Sequence, residues 1–501
     1  MLTWGSTPLF YTARIAALSM ALLIAGCAVG PNFKPPPAPK VGGYTAHSVA
    51  PTSATPNVAG GAAQHFSKGA DIPGDWWTLF HSASLDALIE RALQDNHDLK
   101  AAQAALQVAH EDVLAQRGAY FPNVSAGFSA SRQSQPGSLA PVPNNNAFQY
   151  NLFTPQLTIS YASDLFGLNR RTIESAQAQE QAVRFQTIAA WTTLTSNVVV
   201  TAVQEASLRE QVAATRKLVD YEQKSLGILQ LRFQKGDASK LDIAAQQTQL
   251  AQLESGLPTL VKQLTQTQYA LAALTGKFPD QAPLATFTLA DLHLPQKLPV
   301  SLPSRLVAQR PDVRQARANL HAASAAIGIA TANRLPNIEL SADLGSTALA
   351  ISKVFTSGTG FWGLAASLTA PIFDGGALLH QERAAKAAYV EAAQQYRSTV
   401  LTAFQNVADT LVALEQDADA LKTAAAAERA AKTTLDLSQL QLRHGYIGVF
   451  ETLVAEQSYQ QARIALVLAQ ANRFIDTAAL YQALGGGWWH YKHLTRNLSG
   501  R

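Results

Sequence analysis

The sequence predicts an α+β membrane protein made of two halves of one plan, each running helix, strand, strand, very long helix, helix. Three observations predict it. Between Gly167-Leu168-Asn169-Arg170-Arg171 and Arg232-Phe233-Gln234-Lys235-Gly236 lie about 65 residues without a proline. At about 1.5 Å per residue a helix of that length runs on the order of 100 Å, far beyond an ordinary globular helix. A second proline-free stretch starts near Gly376 and ends at Leu442-Arg443-His444-Gly445. Ahead of each long stretch, and at matching places, stand two short segments of alternating apolar and polar residues.

The halves correspond beyond these features. Asn96-His97-Asp98-Leu99-Lys100 leading to Tyr120-Phe121-Pro122-Asn123-Val124 matches Arg310-Pro311-Asp312-Val313-Arg314 leading to Leu335-Pro336-Asn337-Ile338. Such self-similarity sets the architecture before any single motif does.

At the N-terminus, Arg14 precedes an apolar run from Ile15 to Ala25, too short to span a bilayer and right for the core of a signal peptide over residues 1–26. It ends in Leu23-Ile24-Ala25-Gly26-Cys27, which resembles a bacterial lipoprotein signal with Cys27 as the lipidated first residue of the mature chain. Cys27 is the single cysteine, so no intramolecular disulfide can form. Ala28 follows it, not the aspartate that resembles inner-membrane retention. One acyl chain anchors weakly and two or more anchor stably, so lipid is an accessory to whatever else embeds the protein.

Residues 27–74, with Pro35-Pro36-Pro37 and much Gly, Ala and Ser, cannot build a core and read as an extended strap lying on the folded body. Asp75-Trp76-Trp77 with Leu79-Phe80 marks where folding begins, opening a first repeat over residues 75–275. Its first helix is expected from about Leu85 to Gly118, stopped by Pro122. A strand follows over about 122–132, with Val124, Ala126, Phe128 and Ala130 opposed to Ser125, Gly127, Ser129 and Ser131. After a loop through Pro136-Gly137 and Asn144-Asn145-Asn146, a second strand over about 151–163 sets Leu157, Ile159 and Tyr161 against Gln156, Thr158 and Ser160.

The long helix carries a seam spaced alternately four and three, Leu208, Val212, Thr215, Val219, Glu222, Leu226, Leu229 and Phe233, which keeps one stripe toward a partner helix. Alone it would also suit a dimerising coiled coil. A turn at Lys235-Gly236-Asp237 leads to a returning helix that Pro258 should kink. Residues 276–303, with five prolines from Pro279 to Pro303, link the repeats.

The second repeat, residues 304–487, places strands over about 336–346 and 361–371. There Ile338, Leu340, Ala342 and Leu344 oppose Asn337, Glu339, Ser341 and Asp343, and Trp362, Leu364, Ala366 and Leu368 oppose Gly363, Ala365, Ser367 and Thr369. Its turn lies near Gly445. Residues 488–501 form a C-terminal tail whose polar end is expected to be poorly ordered.

Four one-sided strands of about ten residues fit part of a transmembrane barrel wall, and the smallest bacterial barrels use about eight. Open edges in lipid leave backbone groups unsatisfied, so the chain must oligomerise to complete the wall. Soluble hairpins on a lipid-anchored periplasmic coiled-coil scaffold are the competing architecture.

Only 15% of residues are charged and the net charge is +4, with charges dispersed, which points away from nucleic acid. Gly358-Thr359-Gly360-Phe361-Trp362-Gly363 has dinucleotide-motif spacing but sits in a hairpin loop before a strand, where a strand-to-helix turn is required. Thr275-Gly276-Lys277-Phe278 lacks the rest of a phosphate loop. The eleven histidines, His321 included, pair with no histidine or cysteine at metal-ligand spacing. No cofactor, no catalytic residue and no metal site is expected, and the chain reads as non-enzymatic.

Several stretches together resemble the bacterial outer-membrane efflux protein family, the TolC-like channels, in its lipoprotein branch serving resistance-nodulation-division efflux. They are Gly26-Cys27-Ala28-Val29-Gly30-Pro31, Asp164-Leu165-Phe166-Gly167 with Asn169-Arg170-Arg171, Arg310-Pro311-Asp312-Val313-Arg314, Pro371-Ile372-Phe373-Asp374-Gly375-Gly376 and Ala483-Leu484-Gly485-Gly486-Gly487-Trp488-Trp489. The resemblance implies a homotrimer whose chains give four strands each to one twelve-stranded outer-membrane barrel, continued by a periplasmic α-helical barrel. It implies an exit duct of a tripartite efflux system, fed by an inner-membrane pump through a periplasmic adaptor; the same channel serving type I protein secretion is a near alternative.

In that picture Gly236 and Gly445 lie at the periplasmic tip where the adaptor docks. Family members place an acid six positions after the tip glycine, here Asp242 and Glu451, as candidate gate residues. A second family acid, nine positions after the glycine, is Val454 here. The usual Arg and Tyr before the second glycine are Gln441 and Leu442, and the acid after Arg-Pro-Asp-Val is Arg317, which implies a thinner or altered gate network. The exported substrate is not legible.

Overall fold

The computed structural model describes residues 28–47, 49–135, 148–282 and 287–491. The signal segment, Cys27, the Pro136-Gly137 and Asn144–Asn146 loop, Pro283 and residues 492–501 of the tail lie outside the described residues. The chain forms two compact units, one of residues 1–35, 107–182 and 316–396, the other of residues 36–106, 183–315 and 397–501.

In chain order the elements are β1 (His65–Lys68), α1 (Ala83–Asp95), α2 (His97–Arg117), β2 (Asn123–Gln135), β3 (Phe148–Ser163), α3 (Leu168–Gln234), α4 (Lys240–Leu274), β4 (Lys297–Val300), α5 (Pro303–Gln309), α6 (Pro311–Ala332), β5 (Asn337–Ser346), β6 (Gly360–Thr369), α7 (Ala377–Arg443) and α8 (Val449–Ala483). The two long helices are 67 residues each and their returning partners 35 each.

In the first unit β2, β3, β5 and β6 form one antiparallel sheet in that order. Register makes the sequence alternation continuous across strands: Val124, Ile159, Ala342 and Leu364 stand in one row, and Ala126, Leu157, Leu344 and Trp362 in another. One slip of a residue would send every such row to the opposite face.

Each hairpin feeds its long helix through an aspartate. Asp164 accepts from the N–H groups of Asn169 (2.8 Å) and Arg170 (3.1 Å). Asp374 accepts from those of Gly376 (2.9 Å) and Leu378 (2.7 Å) in the second repeat. A carboxylate there satisfies amides that the helix start leaves without partners.

The second unit has an aromatic centre. Trp76 and Phe80 are wholly buried, and Trp76 stacks on Tyr481 of α8 with centroids 5.0 Å apart. Burial of each such ring contributes about 2–3 kcal/mol. The expected single helix from Leu85 to Gly118 is two, α1 and α2. Asn96 between them is extended, and its side chain accepts from the Leu99 N–H at 2.9 Å while donating to the Leu274 carbonyl at 3.1 Å. The second repeat breaks likewise, with Arg310 extended before Pro311.

Three further features differ from the expectations or add to them. The strap carries a short strand: His65–Lys68 pairs in parallel with Lys297–Val300 of the linker, making a two-stranded sheet. The tail does not begin at residue 488, because Trp488 Nε1 donates to the Gln309 carbonyl at 2.9 Å and Trp489 Nε1 to Asp71 at 3.0 Å. Helix α4 continues past Pro258; Pro258 and Glu254, whose carbonyl loses its donor, are both exposed, so solvent reaches the freed carbonyl.

Val212, Thr215, Glu222 and Leu229 of the expected seam are buried on α3, and Gln211, Leu218 and Ser225 are buried beside them. Val219 and Leu226 of the expected seam are half-buried, and Phe233 is exposed. Polar side chains occupy the seam because partner helices supply hydrogen bonds, as Gln246 of α4 does for Glu222.

Candidate functional site

The sheet of the first unit has two chemically different faces. One carries Phe128, Leu340, Trp362, Leu364 and Leu368, all exposed, Trp362 by 75% and Leu364 by 76%. The other carries Ser125, Thr158, Ser160, Ser341, Ser367 and their row partners. A soluble protein has no use for an exposed apolar sheet face of this size, whereas a bilayer covers it. Among the described residues β2 and β6 each pair on one side only, so both outer edges offer backbone hydrogen bonds. No described helix is long and apolar enough to cross a membrane.

Next to the sheet the chain immediately after Cys27 is held by the first unit. Val29 N–H donates to the Phe166 carbonyl at 3.0 Å, and Ala28 lies against Gly167, whose φ is +80°. Arg171 is buried and donates to the carbonyls of Val29 (3.0 Å) and Gly30 (3.2 Å) and to Asn32 Oδ1 (2.9 Å). Phe33 stacks on His321, 4.3 Å between centroids, and His321 bonds Glu174 at 2.9 Å. Burial works against ionisation of Glu174, but the bonds from His321 and Arg171 outweigh it and lower its pKa. His321 is thus packed against the strap, and Arg171, quoted above only as part of a motif, is the residue that holds it.

The two turns of the second unit are built alike. Gly236 and Gly445 have φ of +82° and +73°, which side-chain-bearing residues rarely adopt. Asp237 N–H donates to the Arg232 carbonyl at 2.9 Å and Tyr446 N–H to the Gln441 carbonyl at 2.9 Å, closing each long helix with the same left-handed cap. The carbonyls of Gln441 and Leu442 are therefore structural here.

The two candidate gate acids occupy the same position, the third residue, of the two returning helices α4 and α8. Ser239 caps α4, and Asp242 accepts from its N–H and its hydroxyl, both at 2.8 Å, while Ser239 Oγ accepts from the Asp242 N–H at 3.2 Å. Those two bonds to Asp242 come first in lowering its pKa, and Arg232 adds to them. Gly448 caps α8, and a side chain placed at Gly448 would meet the Glu451 carboxylate at 2.8 Å. For Asp242, spacing six from the glycine is thus also a capping spacing, a role the sequence reasoning did not assign.

Asp242, Glu222 and Gln246 line a cavity of about 480 Å³ with Arg232, Asp237 and Phe450, the residue before Glu451. Burial raises the Glu222 pKa against the bond from Gln246. Tyr221 beside it is pushed up to about 12, by burial first and then by its bond to Glu456. Val454 is exposed on α8. Arg317 lies on α6 in the first unit, where its charge opposes the burial that raises Tyr396.

A sheet lipid-facing on one side, polar on the other and open at both edges, carried with paired long helices, defines a membrane channel protein. The sequence signature described as outer membrane efflux protein matches residues 88–277 and 302–486, and the chain belongs to that family. It is 31% identical to the pyoverdine export outer membrane protein OpmQ of Pseudomonas putida, over 87% of this chain and 93% of that protein. It is 27% identical to the outer membrane protein OprJ of Pseudomonas aeruginosa, over 97% and 98%. The open state of the MtrE outer membrane channel of Neisseria gonorrhoeae superposes with a TM-score of 0.75 at 26% identity, covering 92% of this chain and 99% of that one. The protein is an outer-membrane efflux channel of the TolC-like fold, its helical part in the periplasm.

Proposed function

We propose that three copies of this chain join β2 of one to β6 of the next, closing a twelve-stranded barrel that serves as the exit duct of a tripartite efflux system. The observation that carries this reading is the four-stranded sheet with one exposed apolar face and two unpaired edges, which no monomer can satisfy in lipid. β2 and β6 run in opposite directions, as antiparallel closure requires. The exposed apolar band also speaks against a lipid-anchored scaffold.

A periplasmic adaptor docks at the turns of Gly236 and Gly445, and an inner-membrane resistance-nodulation-division pump supplies the cargo and the energy, the chain performing no chemistry of its own. Asp242 and Glu451 form the periplasmic gate as rings of charge. Cys27 carries the lipid anchor, and Arg171 binds the chain that follows it at Val29, Gly30 and Asn32.

Light scattering of the detergent-purified protein, paired with single-channel recording, tests the assembly. A trimer with gated conductance is expected; a monomer or dimer without conductance refutes it. Glu451→Ala, alone or with Asp242→Ala, is expected to change conductance or its cation preference, and unchanged traces remove these acids from the gate. The mass of the N-terminal peptide reports acylation of Cys27.

A further inference from the structure

The four strands of the first-unit sheet contain only three charged residues, Arg132, Glu339 and Asp343. Alternation from Ala130 puts Arg132 on the apolar face, near the end of β2, where it bonds Gln149. Glu339 and Asp343 stand on the polar face, four residues and so about 13 Å apart along β5. That face, across all four strands, has two carboxylates and no lysine or arginine.

Asp343 is fixed in place. Thr158 Oγ1 donates to its Oδ1 at 2.8 Å and Gln156 Nε2 to the same oxygen at 2.6 Å. Its partner across β6 is Gly363, which offers no side chain and has open space where a Cβ would stand. The carboxylate is therefore braced from the β3 side by neutral donors and neutralised by no cation of the sheet.

We propose that Asp343, with Glu339 below or above it on the same face, is a charge-selecting position inside the barrel, distinct from the acids at the helical turns. It rests on the trimeric duct reading: three copies bring six carboxylates and no strand cation to one enclosed polar lumen. Within low-dielectric walls a lumen of one sign concentrates ions of the other sign and opposes its own. Cationic solutes are the favoured chemical class, and anionic solutes are slowed whatever the helical gate does.

The test is the reversal potential of the reconstituted protein under a potassium chloride gradient. Asp343→Asn, which keeps an oxygen for Thr158 and Gln156, is expected to lower the potassium-to-chloride permeability ratio by roughly twofold, and Asp343→Asn with Glu339→Gln by more. Ser341→Lys, placed between the two carboxylates on the same face, is expected to shift preference toward chloride without removing either of them. Ratios unchanged in both the double variant and Ser341→Lys, with conductance retained, overturn the inference while leaving the duct reading intact. A wild-type sample without conductance overturns the duct reading itself, and this inference with it.

Discussion

The guanidinium of Arg473, wholly buried on α8, donates to the Leu414 carbonyl on α7 at 2.7 Å. The same group reaches the strap at Thr52 Oγ1 (3.3 Å) and at the carbonyls of Gly60 (3.4 Å) and Ala62 (3.5 Å), so one cation ties three stretches of chain. Burial brings its pKa down to about 10, with Asp417 and Asp476 acting against that fall. Arg473→Met is expected to leave buried carbonyls without donors, at about 1–3 kcal/mol each. Limited proteolysis should then cut within residues 49–64 at protease levels that spare the parent protein, and equal cutting rates would show the strap is held elsewhere.

Asp476, one turn along α8, shares a hydrogen bond with Asp417 of α7. Its pKa is pushed up to about 7 by burial, then by the bond and charge of Asp417, against the pull of Arg473. The folded chain thus keeps a proton that the unfolded chain releases near pH 4. From about pH 4 to 7 this group makes the folded state progressively less stable as pH rises, and above pH 7 its full cost is present. Asp476→Asn is expected to flatten the decline of the melting temperature between pH 5 and pH 8; an identical slope would dismiss the shared proton.

Gly328 on α6 leaves no room for a side chain: a Cβ on Gly30 would collide with the Gly328 backbone, and a Cβ on Gly328 would collide with the Arg171 side chain and the Val29 carbonyl. Gly328→Val is expected to push residues 28–33 away from α6 and break the Arg171 contacts. The stacking of Phe33 on His321 gives the readout: His321→Cys and Phe33→Cys, placed in the Cys27→Ser background, should crosslink readily with Gly328 present and poorly once Gly328→Val is added. Equal crosslinking in the two backgrounds would show that the strap tolerates a side chain there.

Gly236 and Gly445 have open space around them, so only backbone conformation resists substitution. Alanine at either turn should cost about 1–2 kcal/mol, and asparagine less, since it tolerates the left-handed region. Thermal denaturation of the four single variants checks the ranking. Alanine and asparagine behaving alike would mean that the turn relaxes out of its left-handed cap.

The strands, the two turns and the repeat were legible because each is local: alternation at Val124 to Ala130, a glycine after Arg232-Phe233-Gln234-Lys235, and one spacing written twice. The break at Asn96 was not, because one cap-forming residue stands inside an otherwise helix-forming run, and the break is fixed in part by a distant carbonyl at Leu274. Pairing of His65–Lys68 with Lys297–Val300 joins segments more than two hundred residues apart, each too short to announce itself. At the turns, Asp242 was visible as an acid at a telling distance, but its bond to Ser239 gives that distance a second cause. Arg473 looks like an ordinary solvent-facing helix residue until the strap covers it, and Asp476 until Asp417 of α7 meets it.

Helices α3 and α7 match residue for residue in length, as do α4 and α8, although their sequences have diverged. An insertion of one residue in a helix turns everything beyond it by about 100° and advances it by about 1.5 Å. The chain has therefore drifted in spelling but not in measure: since the duplication, any gained or lost residue in one hairpin had to be undone or mirrored in the other. The two copies act as each other's ruler, and a deletion made in both at equivalent places should be better tolerated than the same deletion in one.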